Sequence, residues 1–339
     1  MTGVAETKMK AIQMRAAGDS SVLEYVDIAE PVIQLPSQVK IKLKAAGVNP
    51  IDTKIRATAG YYPDRLPAVL GCDGAGVIVE VGEAVTDYKA GDEVWFCHGG
   101  LGNEQGNYAE YNVLDESLLS HKPSTIDFVQ AAAGPLVLIT AWEALYDRVQ
   151  LDENKTILIH AGAGGVGHVA IQLAKRKGAR VFTTVQGQNK VDFVKALGAD
   201  EVILYKEEDV TERVIKMTSG KGVDIVFDTV GPAVFKQSIN ALAYCGEIVT
   251  LLDPGSDVDW KEARLKNIKV SFELMLTPMI KKLLEARQHQ VNILKQCADW
   301  IDKGELRIEL GASYPLAQAA KAHEAIEEGH TMGKISLTI

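Results

Sequence analysis

From Lys155 the chain reads KTILIHAGAGGVGHVAIQLAKRKGARVFTTVQG, residues 155–187. An apolar β-branched run, TILIH, meets a cluster of glycines. A helix-forming run follows, and RVFTTV ends the stretch as a second β-rich run. The pattern predicts strand, turn, helix and strand. Gly162, Gly164 and Gly167 stand at G-x-G-x-x-G spacing, which in this context marks a dinucleotide-binding turn. One glycine permits the tight turn, one lets the backbone approach a pyrophosphate, and one lets helix and strand pack closely. The helix start, at Gly165 and Val166, offers unpaired N–H groups and the positive end of the helix dipole to phosphates.

The end of the second strand bears on which dinucleotide is bound. A carboxylate about 20 residues after the turn holds the ribose 2′-hydroxyl of NAD and would repel a 2′-phosphate. Thr183, Thr184, Val185, Gln186 and Gly187 occupy this region, and none is acidic. NADPH is therefore the expected cofactor. Thr184 joins the candidate cofactor set, and Lys175, Arg180 and Lys190 are the candidate cations for the 2′-phosphate. Each also reads as an ordinary helix-end or surface charge.

Outward from the turn, strands and helices alternate. EVILY, IVFDTVG, GEIVTLL and IKVSFEL read as the third to sixth strands, separated by helical runs that often end at glycine. Six strands with intervening helices imply an α/β fold with a doubly wound parallel sheet, expected over 134–303. DFVQAAAGPLVLITAWEALYDRV reads as two helices broken at Gly134-Pro135, and a long helical stretch is expected from about Pro278 to Lys303. Residues 1–133 differ in texture. Short alternating runs such as VKIKLKAAGV, and turns such as Ala90-Gly91-Asp92, predict a β-rich domain with no helix before about residue 125. The tail, a helix and then a strand within 304–339, is expected to complete that first domain.

Length and composition fit a two-domain globular protein. The 339 residues are 47% hydrophobic and carry a formal net charge of −9, which argues against nucleic-acid or anionic-membrane binding. No apolar run approaches membrane-helix length, and the opening MTGVAETKMKAIQM lacks a signal-peptide segment, so a cytoplasmic protein is expected. Cys72, Cys97, Cys245 and Cys297 are scattered and expected to be free thiols.

Further stretches extend the argument: AAGVNPIDTKIR (45–56), GCDGAGVIVEVG (71–82), AGDEVWF (90–96), PLVLITAWEAL (135–145), HAGAGGVGHVAIQLAK (160–175) and VFDTVG (226–231). Together with the glycine turn they resemble the medium-chain dehydrogenase/reductase superfamily. Within it, the chain is similar to the zinc-independent quinone oxidoreductases related to zeta-crystallin. The resemblance implies a GroES-like substrate domain, a Rossmann domain holding NADPH, an active site in the cleft and a homodimer. It implies that Asn49 and Thr140 lie near the nicotinamide and the substrate carbonyl. By the same likeness Lys175 and Tyr205 contact the adenosine 2′-phosphate, with a further basic contact from His330 or Lys334. Some relatives carry a substrate-facing tyrosine after the NPIDT segment. This chain has Lys54 there, and Tyr61 and Tyr62 are the candidate replacements. Trp95, Trp142 and Leu252–Pro254 join them as expected pocket-lining residues.

Zinc-dependent members of the superfamily use a cysteine, a histidine and a second cysteine or acid. Here these positions hold Asn49, Cys72 and the region of Thr140, so no metal site is expected. Without a Lewis acid, hydride transfer to a quinone or an α,β-unsaturated carbonyl is easier than to a simple aldehyde, because the negative charge spreads into a quinol or enolate. Asp52 and Asp73 read as loop-holding residues. The alternatives are an alcohol dehydrogenase and an NADPH-binding protein with little turnover.

Overall fold

The structure is a computed structural model that describes residues 7–339, and its chain divides into two compact units: 1–136 with 278–339, and 137–277. Residues 1–6, part of the stretch expected to lack a leader segment, lie outside the described residues.

The second unit is built on six parallel strands. Their spatial order is Glu201–Leu204, Arg180–Val185, Thr156–Ile159, Val223–Asp228, Leu242–Thr250 and Lys269–Phe272. Sequence order therefore runs 3-2-1-4-5-6, and the direction of winding reverses beside Thr156–Ile159. In doubly wound sheets ligands bind at this reversal, beyond the carboxyl ends of the strands. The central strands are apolar on both faces because helices cover both. Leu158, Phe182, Ile203, Val226 and Ile248 are buried against Val214, Phe235 and Ile239.

The first unit is antiparallel in the main. Gln38–Val48 pairs with Asp73–Val81, with Tyr111–Asp115 and with the C-terminal strand Lys334–Thr338, so the tail does return to the β-rich unit. A seven-stranded sheet results, and Val39, Ile41, Leu43, Ile78, Val94 and Phe96 fill its core.

Two elements depart from the sequence-based expectations. A helix spans Pro50–Thr58, where none was expected. Asn49 is its extended N-cap, Pro50 supplies a preset φ at the first position, and the Asp52 carboxylate accepts the Asn49 N–H at 2.8 Å. Only Ile51 and Ile55 give it an apolar stripe, so periodicity missed it; Asn-Pro-x-Asp was the readable signal. The long helix, Leu284–Asp302, groups with the first unit rather than with the parallel-sheet unit. Its buried Arg287 donates to the Cys97 carbonyl at 2.7 Å.

Candidate active site

The glycine turn joins Thr156–Ile159 to the helix Gly165–Arg176. Gly162 and Gly167 are required by the protein itself. A Cβ on Gly162 would lie 2.0 Å from Thr183 Oγ1, and one on Gly167 would lie 2.3 Å from the Ala161 carbonyl oxygen. Gly164 differs: a Cβ there would meet only that same oxygen, at 3.2 Å. That contact is tight, but far less so than those at the other two glycines. Gly164, Gly165 and Val166 are partly exposed, so the outer side of the turn is open.

Thr184 is nine-tenths buried or more, and it clamps the turn from behind. Its Oγ1 accepts the Ala161 N–H at 3.1 Å, and its carbonyl accepts the Gly162 N–H at 3.0 Å. The hydroxyl expected at the cofactor thus acts on the loop instead.

The 2′-phosphate candidates separate by position. The Lys175 ammonium binds both Asp200 oxygens, at 3.0 and 2.9 Å, and the Ala179 carbonyl at 3.3 Å. Asp200 in turn accepts the Val181 N–H at 2.7 Å. Lys175 and Arg180 therefore sit at the entry end of the strand Arg180–Val185. At about 3.3 Å per residue the other end lies roughly 17 Å away. Lys175 thus stands at the opposite end of this strand from the glycine turn. Lys190, partly buried, follows the exit end of that strand. Tyr205, 43% exposed, follows the next strand, and its N–H donates to the Val185 carbonyl at 3.3 Å. These two residues occupy the carboxyl ends of adjacent strands.

In the first unit, strand register gathers a buried polar cluster. Gly47 pairs with Asp73, Val48 with Ile335, and Asp73 with Cys97. Asn49, Lys334, Asp73 and Cys97 thus meet at one end of the sheet, although they lie far apart in sequence. Lys334 donates to the Asn49 side-chain oxygen, and to the Val48 carbonyl at 2.8 Å. Asn49 Nδ2 donates to Asp73 Oδ2 at 2.9 Å, and Asp73 Oδ1 accepts the Leu136 N–H at 2.9 Å.

A second branch runs from Asp52. Its Oδ2 accepts the Tyr108 hydroxyl at 3.1 Å, and that hydroxyl lies 3.2 Å from His323 Nε2. Asp52 Oδ1 and His323 Nδ1 are buried with no hydrogen-bond partner. Burial pushes Asp52 up to about 7 and Asp73 to about 6, the Lys334 charge opposing the rise in both.

Lys334 is buried against Asn49 within the first unit. Asn49 is fully buried with both amide ends engaged. Trp95 is wholly interior. Tyr61 is 43% exposed, its phenol pushed up by partial burial, and Tyr62 is partly exposed beside it. Thr140 is buried in the helix Pro135–Trp142. Burial also pushes the Cys72 thiol well above its ordinary value, so it is no reactive thiolate. Sequence reading missed Tyr108 and His323, which carry no local motif.

A GroES-like first unit and a doubly wound parallel second unit in one chain define the medium-chain dehydrogenase/reductase class. A family model described as an alcohol dehydrogenase GroES-like domain matches residues 35–124, and one described as a zinc-binding dehydrogenase matches 197–337. The quinone oxidoreductase of Pseudomonas aeruginosa is 35% identical over 97% of this chain and 99% of its own. An Arabidopsis thaliana protein named NADPH-dependent alkenal/one oxidoreductase, chloroplastic, is 34% identical over 97% of this chain and 79% of its own. The crystal structure of the Escherichia coli quinone oxidoreductase complexed with NADPH superimposes with a TM-score of 0.87 at 29% identity, covering 97% of this chain and all of that one. The chain belongs to the quinone oxidoreductase family of this superfamily.

The zinc in one family description does not suit the residues present. At the ligand positions the Asn49 oxygen faces an ammonium, the Cys72 thiol is held neutral and Thr140 offers a hydroxyl, while both oxygens of the neighbouring Asp73 are taken by N–H donors. Among the described residues no three His, Cys, Asp or Glu side chains gather as a metal would need.

Proposed function

We propose that the protein is an NADPH-dependent reductase that passes hydride to a quinone or an α,β-unsaturated carbonyl without a metal. The carrying observation is the glycine turn, whose outer side at Gly164, Gly165 and Val166 is partly exposed and where a Cβ on Gly164 would meet one protein atom, the Ala161 carbonyl oxygen at 3.2 Å. NADPH, when bound, supplies the hydride. The helix start at Gly165 and Val166 would hold the pyrophosphate. Lys190 and Tyr205, at neighbouring strand ends with no carboxylate between Thr183 and Gly187, would hold the 2′-phosphate. Lys334 and Asp73 hold Asn49, and through it the start of the helix Pro50–Thr58 that leads to Tyr61 and Tyr62. Those phenols are the candidate side chains for meeting an acceptor's oxygen. The names and titles of the relatives support the acceptor class.

We also propose a homodimer and a cytoplasmic site of action. Lys269–Phe272 is an edge strand flanked by exposed Tyr244, Phe272 and Leu274, an unguarded edge of the kind that pairs with a second copy. All four cysteines are free thiols, as a reducing compartment would keep them, and among the described residues no helix is long and apolar enough to cross a membrane.

The test is NADPH oxidation by the protein, before and after chelator treatment, over a panel of quinones, enones and simple aldehydes. Turnover confined to quinones and enones supports the reading; turnover on simple aldehydes that disappears with chelation would overturn it.

A further inference from the structure

We infer that His160 is a positioning residue for the dinucleotide loop, acting through Thr184. The inference rests on the reading of the glycine turn as a cofactor site and assigns it a control that lies behind the loop.

Hydrogen-bond accounting assigns a direction to every link. The Ser238 hydroxyl donates its one hydrogen to the Val234 carbonyl at 2.7 Å. It can therefore only accept from His160 Nε2, which lies 3.0 Å away. His160 is buried and desolvated, its basicity pushed down to about 4, so the ring is neutral. With the proton on Nε2, Nδ1 is a bare acceptor. The Thr184 hydroxyl, 3.3 Å from Nδ1, donates to it. That leaves the Thr184 oxygen lone pairs for the Ala161 N–H, at 3.1 Å. One directional chain results: Ala161 N–H to Thr184, Thr184 to His160, His160 to Ser238, Ser238 to the Val234 carbonyl.

Its upper end is the residue on which the turn depends. Ala161 has φ of 51°, a left-handed conformation unfavourable for a residue with a Cβ. Its carbonyl accepts the Gly164 N–H at 2.9 Å and is the atom that forbids a Cβ on Gly167. Moving Ala161 therefore moves Gly164 and the helix start, the parts that would carry the pyrophosphate. An ordinary buried histidine would satisfy itself on core carbonyls. This one ends on the hydroxyl that holds the turn.

The test measures binding of NADPH, NADH and adenosine 2′-monophosphate to the full-length protein and its variants. His160→Leu removes both links. It should weaken NADPH and NADH by the same factor, about tenfold, as for one lost buried hydrogen bond. Adenosine 2′-monophosphate has no 5′-phosphate and should bind unchanged. His160→Gln keeps one donor and one acceptor and should stay within about twofold of the natural protein. Thr184→Val should reproduce the loss, the double variant should be no worse than the worse single, and Thr184→Val alone decides if His160→Leu fails to fold. Unchanged NADPH affinity in His160→Leu, or a matching loss of adenosine 2′-monophosphate, would overturn the inference. If the natural protein binds neither NADPH nor NADH, the cofactor reading itself fails, and this inference with it.

Discussion

The Lys334 ammonium and the Asp73 carboxylate face each other through one amide: Lys334 donates to Asn49 Oδ1, and Asn49 Nδ2 donates to Asp73. The amide keeps the opposite charges apart while holding both by hydrogen bonds. A buried cation with carboxylates around it does locally what a bound metal would do for charge balance. Lys334→Met should strand Asp73 in the interior and cost about 3 kcal/mol of stability, in the range for breaking a buried charge pair. Asp73 should then hold its proton more tightly still, since Lys334 is the strongest influence opposing burial there. Turnover should fall roughly tenfold or more as Asn49 loosens. The ratio of NADPH to NADH affinity should not change. A selective loss of NADPH, read by titration of both cofactors, would return Lys334 to the phosphate site.

Asp52 makes stability depend on pH. Its folded value, about 7, lies above the ordinary 3.8 because burial disfavours the charged form. The folded state thus holds the proton more tightly than the unfolded chain. The stability this contributes is full below about 3.8 and is lost as pH rises through about 7. Asp52→Asn cannot ionise, yet it keeps an oxygen to accept from Asn49 and Tyr108. The natural protein should therefore lose ground to Asp52→Asn between pH 4 and pH 7.5, by on the order of a few kcal/mol. Melting temperatures of the two proteins across that range check this; parallel curves would show that Asp52 stays charged.

The glycines of the turn should divide by mutation. Gly167→Ala drives a Cβ into the Ala161 carbonyl and should destabilise the protein by about 1–3 kcal/mol. Gly164→Ala meets a single tight contact, 3.2 Å from the Ala161 carbonyl oxygen, and should cost clearly less stability than Gly167→Ala. Its cofactor affinity should nonetheless fall by more than tenfold, because the added methyl stands where phosphate must approach. Calorimetry and fluorescence titration on both variants separate the two effects.

The second unit was legible because its information is local. Each of its six strands is a short apolar run, and the glycine turn carries its meaning in adjacent residues. The helix Pro50–Thr58 was hidden because its evidence is a cap, not a stripe. The cluster around Asn49 was only half legible. Asn49 and Asp73 stood in recognisable stretches, but Tyr108 and His323 are brought to Asp52 by packing across 56 residues and a further 215. The position of Lys175 was hidden for a simpler reason. Counting along the chain does not say which end of a strand a side chain reaches, and the Asp200 pairing shows that it reaches the entry end.

That geometry yields the sharpest test of cofactor choice. A 2′-phosphate bound beyond the exit end of Arg180–Val185 lies within reach of Lys190 and Tyr205 and far from Lys175. Lys190→Ala should weaken NADPH about tenfold, the loss of one charge-assisted contact, and leave NADH nearly unchanged. Lys175→Ala should weaken both cofactors little and equally. Its cost is a half-exposed ion pair with Asp200, about 0.5 kcal/mol of stability. Affinities of NADPH and NADH for the two variants, measured at one salt concentration, decide the matter. Selectivity that follows Lys175 would mean that the strand-end assignment is wrong, and selectivity that follows neither residue would mean that the protein does not read the 2′-phosphate by charge.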